Sequence, residues 1–231
     1  MASTSKQIEE LFNAQAHLGH KTNRVHPKSR KFIYKIENGV SIIDLTQTVE
    51  YFARAREFAS ELGKTNKTFL VVATKKIASS FIEELCKSMN VPYIVTKWPA
   101  GFITNFETLL KNINKLKTMR EDKETDAWKA LVKHEQTKLG KELSKLERNY
   151  GGLIALDKVP DSLFIIDVKK EKNAVSEARM AGIPVIAVTD TNVNPDIIDF
   201  PIPANDDSLS SVEYIARNII EAYAKARAKG T

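Results

Sequence analysis

The chain has 231 residues, with 35 Lys and Arg against 29 Asp and Glu and a net charge of +6, for a sequence pI near 9.2. At 42% hydrophobic and 28% charged residues it carries enough apolar side chains to bury a core, which excludes a mainly disordered chain, a collagen-like repeat and a disulfide-stapled miniprotein. The single Cys86 has no internal partner and suits a reducing, cytoplasmic compartment; no apolar run approaches the ~18 residues of a membrane span, and the start reads as no signal peptide.

In chain order, Ile8, Leu11, Phe12 and Ala16 fall at helical spacing and predict a short helix over 6–16. His17 to Lys35 reads as a loop. Apolar runs at 31–36 and 40–45 flank Glu37-Asn38-Gly39, and Asn-Gly between such runs predicts a β-hairpin. Residues 46–62 read as a helix with Val49, Phe52, Ala53, Ala59 and Leu62 on one face and Gly63 placed to end it. From Thr68 strands and helices alternate. Strands are expected at 68–74, 92–96, 162–168, 184–189 and 200–202, and helices at 75–90, 171–182 and 207–228. Continuous apolar runs such as TFLVVAT suit strands covered on both faces, so the fold class is α/β, a doubly wound parallel sheet.

Between Trp98 and Asp157 the rhythm changes. Thr104-x-x-Glu107 has the form of a capping box. Leu109, Leu110, Ile113, Leu116 and Met119 then stripe one helix, 121–126 is polar, and Trp128, Val132, Leu139, Leu143, Leu146 and Tyr150 stripe a second. Two narrow stripes joined by a short turn predict an antiparallel coiled-coil hairpin over 99–150, inserted in a sheet domain made of 1–98 and 151–231.

Charge is unevenly placed. His17 to Lys35 holds Lys21, Arg24, Lys28, Arg30, Lys31 and Lys35 and no acid, and the rest of the chain balances at 29 bases and 29 acids. Asp190 to Glu213 holds six acids and no Lys or Arg. This distribution predicts a basic end and an acidic end on one molecule.

Most motifs for chemistry are missing. No glycine follows TFLVVAT, so the dinucleotide fingerprint is absent, and Gly63-Lys64-Thr65 lacks the upstream glycine and strand of a phosphate-binding loop. His17, His20 and His26 form half a zinc site without a second ligand pair. No metal or other cofactor is therefore assigned. No nucleophile elbow occurs, and Asp161, Asp167, Asp190 and Asp199 at strand ends suggest a phosphate-binding enzyme by fold analogy alone. The acid-free segment fits a polyanion best: its Lys and Arg neutralise phosphates while polar neighbours position the chain. The candidate RNA-binding residues are His20, Lys21, Thr22, Arg24, Lys28, Arg30 and Lys31, with Lys97 and Trp98 as a second patch. Trp98 either stacks on a base or packs at the hairpin stem. An adaptor that uses the hairpin and the acidic end without RNA remains a third reading.

Several separated motifs resemble the bacterial-type family of small-subunit ribosomal protein two. They are His17-Leu18-Gly19-His20-Lys21-Thr22 with Arg24, Pro27 and Lys28; Asn38-Gly39 with Ile42-Ile43-Asp44-Leu45; Thr74-Lys75-Lys76; Lys97-Trp98 through Thr104-Asn105-Phe106; Pro160-Asp161 with Phe164-Ile165-Ile166-Asp167; and Asp190-Thr191-Asn192 with Asn205-Asp206-Asp207. The chain departs from the family pattern at Val25-His26, Pro99-Ala100 and Ala204. The resemblance implies a flavodoxin-like sheet with a protruding coiled-coil hairpin. It also implies a structural, non-enzymatic place in the cytoplasmic ribosome, with partners in small-subunit rRNA and in neighbouring ribosomal proteins, including the large RNA-binding protein one. No membrane and no small-molecule substrate is implied.

Overall fold

A computed structural model describes residues 2–125, 128 and 130–229. In chain order the elements are α1 (Ala2–Asn13), β1 (Leu18–Lys21), β2 (Ile33–Glu37), β3 (Val40–Ile43), α2 (Leu45–Lys64), β4 (Phe69–Val72), α3 (Lys76–Ser88), β5 (Tyr93–Ile94), α4 (Phe106–Lys123), α5 (Lys133–Tyr150), β6 (Ser162–Ile165), α6 (Lys172–Met180), β7 (Val185–Thr189), β8 (Phe200–Pro203) and α7 (Leu209–Lys229). Strands β5-β4-β6-β7-β8 form a sheet in which every pair is parallel. Counting only these strands, the order is the flavodoxin-like one, with its switch point between β4 and β6.

Alternation along the strands builds two cores. Phe69, Val71, Phe164, Ile186, Val188 and Ile202 pack on one side against Phe52, Ala59, Ile82, Ile215 and Ile219 of α2, α3 and α7. Leu70, Val72, Leu163, Ile165, Val185 and Ala187 pack on the other against Ala174, Val175 and Ala178 of α6, with Phe102, Leu109 and Ile113. Burial on both faces explains why these strands read as unbroken apolar runs. Phe164 is fully buried, so its truncation to Ala costs ~3–5 kcal/mol. Pro201 and Pro203 sit on the edge strand β8, where a missing N–H costs least.

Three local expectations are corrected. Gly63 does not end α2 but lies within it, where a Cβ would stand 2.3 Å from the Tyr223 carbonyl oxygen. Its missing side chain is what lets α7 cross so closely. Asn105, and not Thr104, precedes α4, and no side chain caps that helix. The segment after His17 is not all loop: β1 pairs antiparallel with β3, which pairs with β2 around the Asn38-Gly39 turn, giving a second, three-stranded sheet.

Helices α4 and α5 pack on each other through Leu116, Met119 and Leu143, with Trp128, Leu139 and Leu146 around them. Lys115–Glu142 at 2.5 Å and Arg120–Glu147 at 3.1 Å tie the pair. Asp126 of the expected turn lies outside the described residues. At the root of α4, the buried Glu177 of α6 accepts hydrogen bonds from Trp98 Nε1 (3.1 Å), Gly101 N (2.9 Å) and Ile103 N (2.9 Å). Three N–H donors compensate one buried carboxylate.

Candidate nucleic-acid interface

The basic segment is a bolted structure rather than a free loop. After β1 and a 3-10 turn at Thr22–Arg24, His26 is extended and its Nδ1 accepts from Lys28 N, while Pro27 opens a second 3-10 turn running to Phe32. Proline suits that first position because its N–H has no role there. Phe32 is buried edge-on against Tyr51. Ser29, 2% exposed, donates to the Val193 carbonyl, and His26 N donates to Thr191 O at 2.8 Å. Gly19 allows the contact on the other side: a Cβ there would meet Thr191 Cγ2 at 2.7 Å and Ser41 O at 3.0 Å.

These anchors belong to the acidic stretch. Lys31 Nζ lies 2.7 Å and Lys28 Nζ 3.3 Å from Asp196 carboxylate oxygens. His20 Nδ1 lies 3.0 Å from Asp190, and its Nε2 contacts Asn192 Nδ2 at 2.8 Å and Asp207 at 3.6 Å. The expected separation into a basic end and an acidic end is therefore wrong. The two segments, over 160 residues apart in sequence, lie together because their charges and backbone groups satisfy one another. The hydrogen bond from Lys31, then that from Lys28, holds the Asp196 carboxyl below its ordinary range. The Asp190 hydrogen bond, against the opposing effect of burial, raises the pKa of His20.

Behind this seam lies the carboxyl edge of the parallel sheet, where α/β proteins place ligands. Here the crevice is filled by the chain's own ions. Lys75 Nζ contacts Asp207 at 2.6 Å, Asp206 at 2.8 Å and Asp167 at 3.6 Å. Burial opposes the Lys75 charge, but its Asp206 and Asp207 bonds outweigh that and push its pKa up to about 12. Burial first, then Asp190 and Asp167, pushes Asp206 up to about 7. Thr74 bonds Glu171, and Lys170 Nζ donates to Thr74 O at 2.6 Å. Asp161 and Asp199, also at strand ends, accept backbone N–H groups of Thr68 and Val185 at the opposite edge. Among the described residues, His20, Asp190 and Asp207 offer a nitrogen and two oxygens within 4.8 Å of one another, a donor set chemically suited to a divalent cation. The three histidines do not converge: His17 stacks on Phe12 at 4.3 Å and His26 caps the 3-10 turn.

Of the predicted contact residues, Lys21, Thr22, Arg24, Lys28, Arg30, Lys31 and Lys97 are exposed and His20 is half-buried. Lys21, Arg24 and Arg30 form no ion pair among the described residues. Trp98 is set apart. It is 5% exposed, stacked at a tilt on Phe102, with its indole N–H given to Glu177. Of its two readings, packing at the stem is the one the geometry matches. The partners Asp196 and Glu177 were missed by sequence reasoning; each looks like an ordinary surface acid until a distant segment is folded against it.

The family described as Ribosomal protein S2 matches over residues 11–226. The chain belongs to the Ribosomal protein S2 family. Among curated relatives named "Small ribosomal subunit protein uS2", that of Wolinella succinogenes is 39% identical over 221 residues, spanning 96% of this chain and 82% of the relative. That of Coprothermobacter proteolyticus is 40% identical over 220 residues, 95% and 82% of the two chains, and that of an Arthrobacter species 42% identical over 231 residues, 97% and 79%. Several of the motifs behind the S2-family resemblance meet in space. His20, Asp190, Thr191, Asn192, Asp206 and Asp207 all line the seam just described, and Asn205 Nδ2 donates to Gln15 O at 3.1 Å, closing it against the N-terminus. In this S2-family chain the signature residues thus serve to seat the basic segment on the sheet.

Proposed function

We propose that this chain is a structural, non-catalytic component of the small ribosomal subunit, working in the cytoplasm and resting on small-subunit rRNA through its basic segment. Lys21, Arg24 and Arg30 are the leading contacts, with His20, Thr22, Lys28 and Lys31 beside them and Lys97 as a second patch. Neighbouring ribosomal proteins, including the large RNA-binding protein one, complete its surroundings. The sheet body (1–98 and 151–231) and the inserted hairpin (99–150) are the two parts that reading requires. The observation that carries it is an anchored segment with three cations that form no ion pair among the described residues, in a chain whose relatives are named for the small subunit. Rigid, desolvation-free cations neutralise phosphates at little ordering cost.

Gradient fractionation tests membership: the chain is expected to co-sediment with small subunits. Neutralising Lys21, Arg24, Lys28, Arg30 and Lys31 together is expected to weaken that association and flatten its salt dependence. Unchanged co-sedimentation of that variant at raised salt contradicts the placement. The enzyme alternative predicts thermal stabilisation by nucleotides with magnesium. None is expected, because Lys75 and its carboxylates fill the crevice.

A further inference from the structure

We infer that the outer face of α5 is a second surface for the phosphate backbone of RNA, independent of residues 17–35. The inference rests on the ribosomal reading above and extends it to the hairpin.

Lys138, Lys141, Lys145 and Arg148 recur at steps of three, four and three residues, which places them on one helical face over ~15 Å. All four are exposed, and Lys123 of α4 joins Lys141, Lys145 and Arg148 around one shallow groove. None of the five forms an ion pair among the described residues. The acids that would neutralise them are engaged elsewhere: Glu142 is held by Lys115 and Glu147 by Arg120, both across the helix pair. The Lys115 hydrogen bond holds the Glu142 carboxyl below its ordinary range, with weaker attraction from Lys138 and Lys145. Glu135 is the remaining acid of α5 and sits in its first turn.

The chemistry of this face selects a polyanion. Within α4 and α5 no large hydrophobic side chain is exposed, Val132 just before α5 being the nearest that is; their apolar stripes are spent on each other and on the sheet core. A stable protein–protein interface needs a buried apolar centre, and this face has none to offer. An unpaired row of cations along a straight helix fits a line of phosphates, which needs charge and spacing and no apolar contact. The simple charge count of the hairpin conceals the surface, because Glu142 and Glu147 are bound by Lys115 and Arg120 of α4.

The test is binding of the full chain to small subunits stripped of this protein, over a salt series. The variant K138Q/K141Q/K145Q/R148Q is expected to lose about four units of log–log salt slope and on the order of 100-fold affinity, at unchanged melting temperature. Changing Lys138, Lys141 and Lys145 to Arg instead is expected to keep both. An unchanged slope for the glutamine variant overturns the inference. So does a stripe-dependent contact that survives nuclease digestion, which assigns the face to an acidic protein. The five-fold variant of residues 21–31 is run in parallel. If it weakens binding while the α5 variant does not, only this inference fails; if the reverse, only the placement of the basic segment fails.

Discussion

Residues 17–35 and the outer face of α5 carry comparable numbers of basic side chains but differ in what holds them. In the first, Lys28 and Lys31 share Asp196, Lys35 pairs with Glu37, and Ser29 and His26 are bonded to the acidic stretch. In the second, the row from Lys138 to Arg148 stands on a regular helix with no ion-pair contact among the described residues, and Lys138 and Lys145 attract Glu142 only at longer range. Linear charge density thus overstates the first region and understates the second. What a polyanion meets is the charge left after the fold has paired its own ions.

The comparison breaks first at its anchors. Glu177→Ala is expected to cost about 3 kcal/mol in chemical denaturation, because two buried N–H donors and one part-buried one lose their acceptor. It also unseats the root of α4, so α5-dependent RNA binding falls although every α5 cation remains. Gly19→Ala is expected to cost ~1–3 kcal/mol, since its Cβ collides with Thr191 and the Ser41 carbonyl. Gly140→Ala on α5 meets nothing within 4 Å and is expected to stabilise by ~0.5–1 kcal/mol through helix propensity. Opposite signs for these two glycines, read in one urea series, mark the difference between a packed seam and an open helix.

Freeing charge in the first region sharpens the contrast further. Asp196→Ala releases Lys28 and Lys31 and is expected to steepen the salt slope of RNA binding by up to about two units. The smallest effect is on pH. Lys31 and Lys28 depress the folded pKa of Asp196, so the stabilisation from this contact is present above the ordinary value of 3.8 and is lost as pH falls through the folded value. Asp196→Ala is expected to remove that small acid-side loss, seen by comparing denaturation midpoints between pH 3 and 5. Because the group is exposed, solvent screening keeps the change slight.

Strands β4, β6 and β7 were legible because both of their faces are buried, which leaves an unbroken apolar run; helices α2 and α7 were legible through their spacing. β1 was not. Leu18-Gly19-His20-Lys21 has no alternation, and its strand state comes from pairing with Ile42 and Val40 of β3. Gly63 carried the signal of a helix end but serves a helix crossing, a distinction that only Tyr223, 160 residues on, decides. The basic segment itself was visible as an acid-free run. Its attachment was hidden, because Asp196 and Thr191 gain their meaning only when the last third of the chain folds back over the first. Trp98 shows the same limit: a lone indole between Lys97 and Pro99 looks like a stacking platform until Glu177 claims its N–H.

The most direct measurement is crosslinking of the chain to RNA in intact small subunits, with mass spectrometry reading which residues carry a nucleotide adduct. Adducts at Lys21, Arg24 or Arg30, and none on Trp98, are the expected result. Adducts confined to other surfaces, with residues 17–35 unmodified in subunits that contain the chain, would contradict the account.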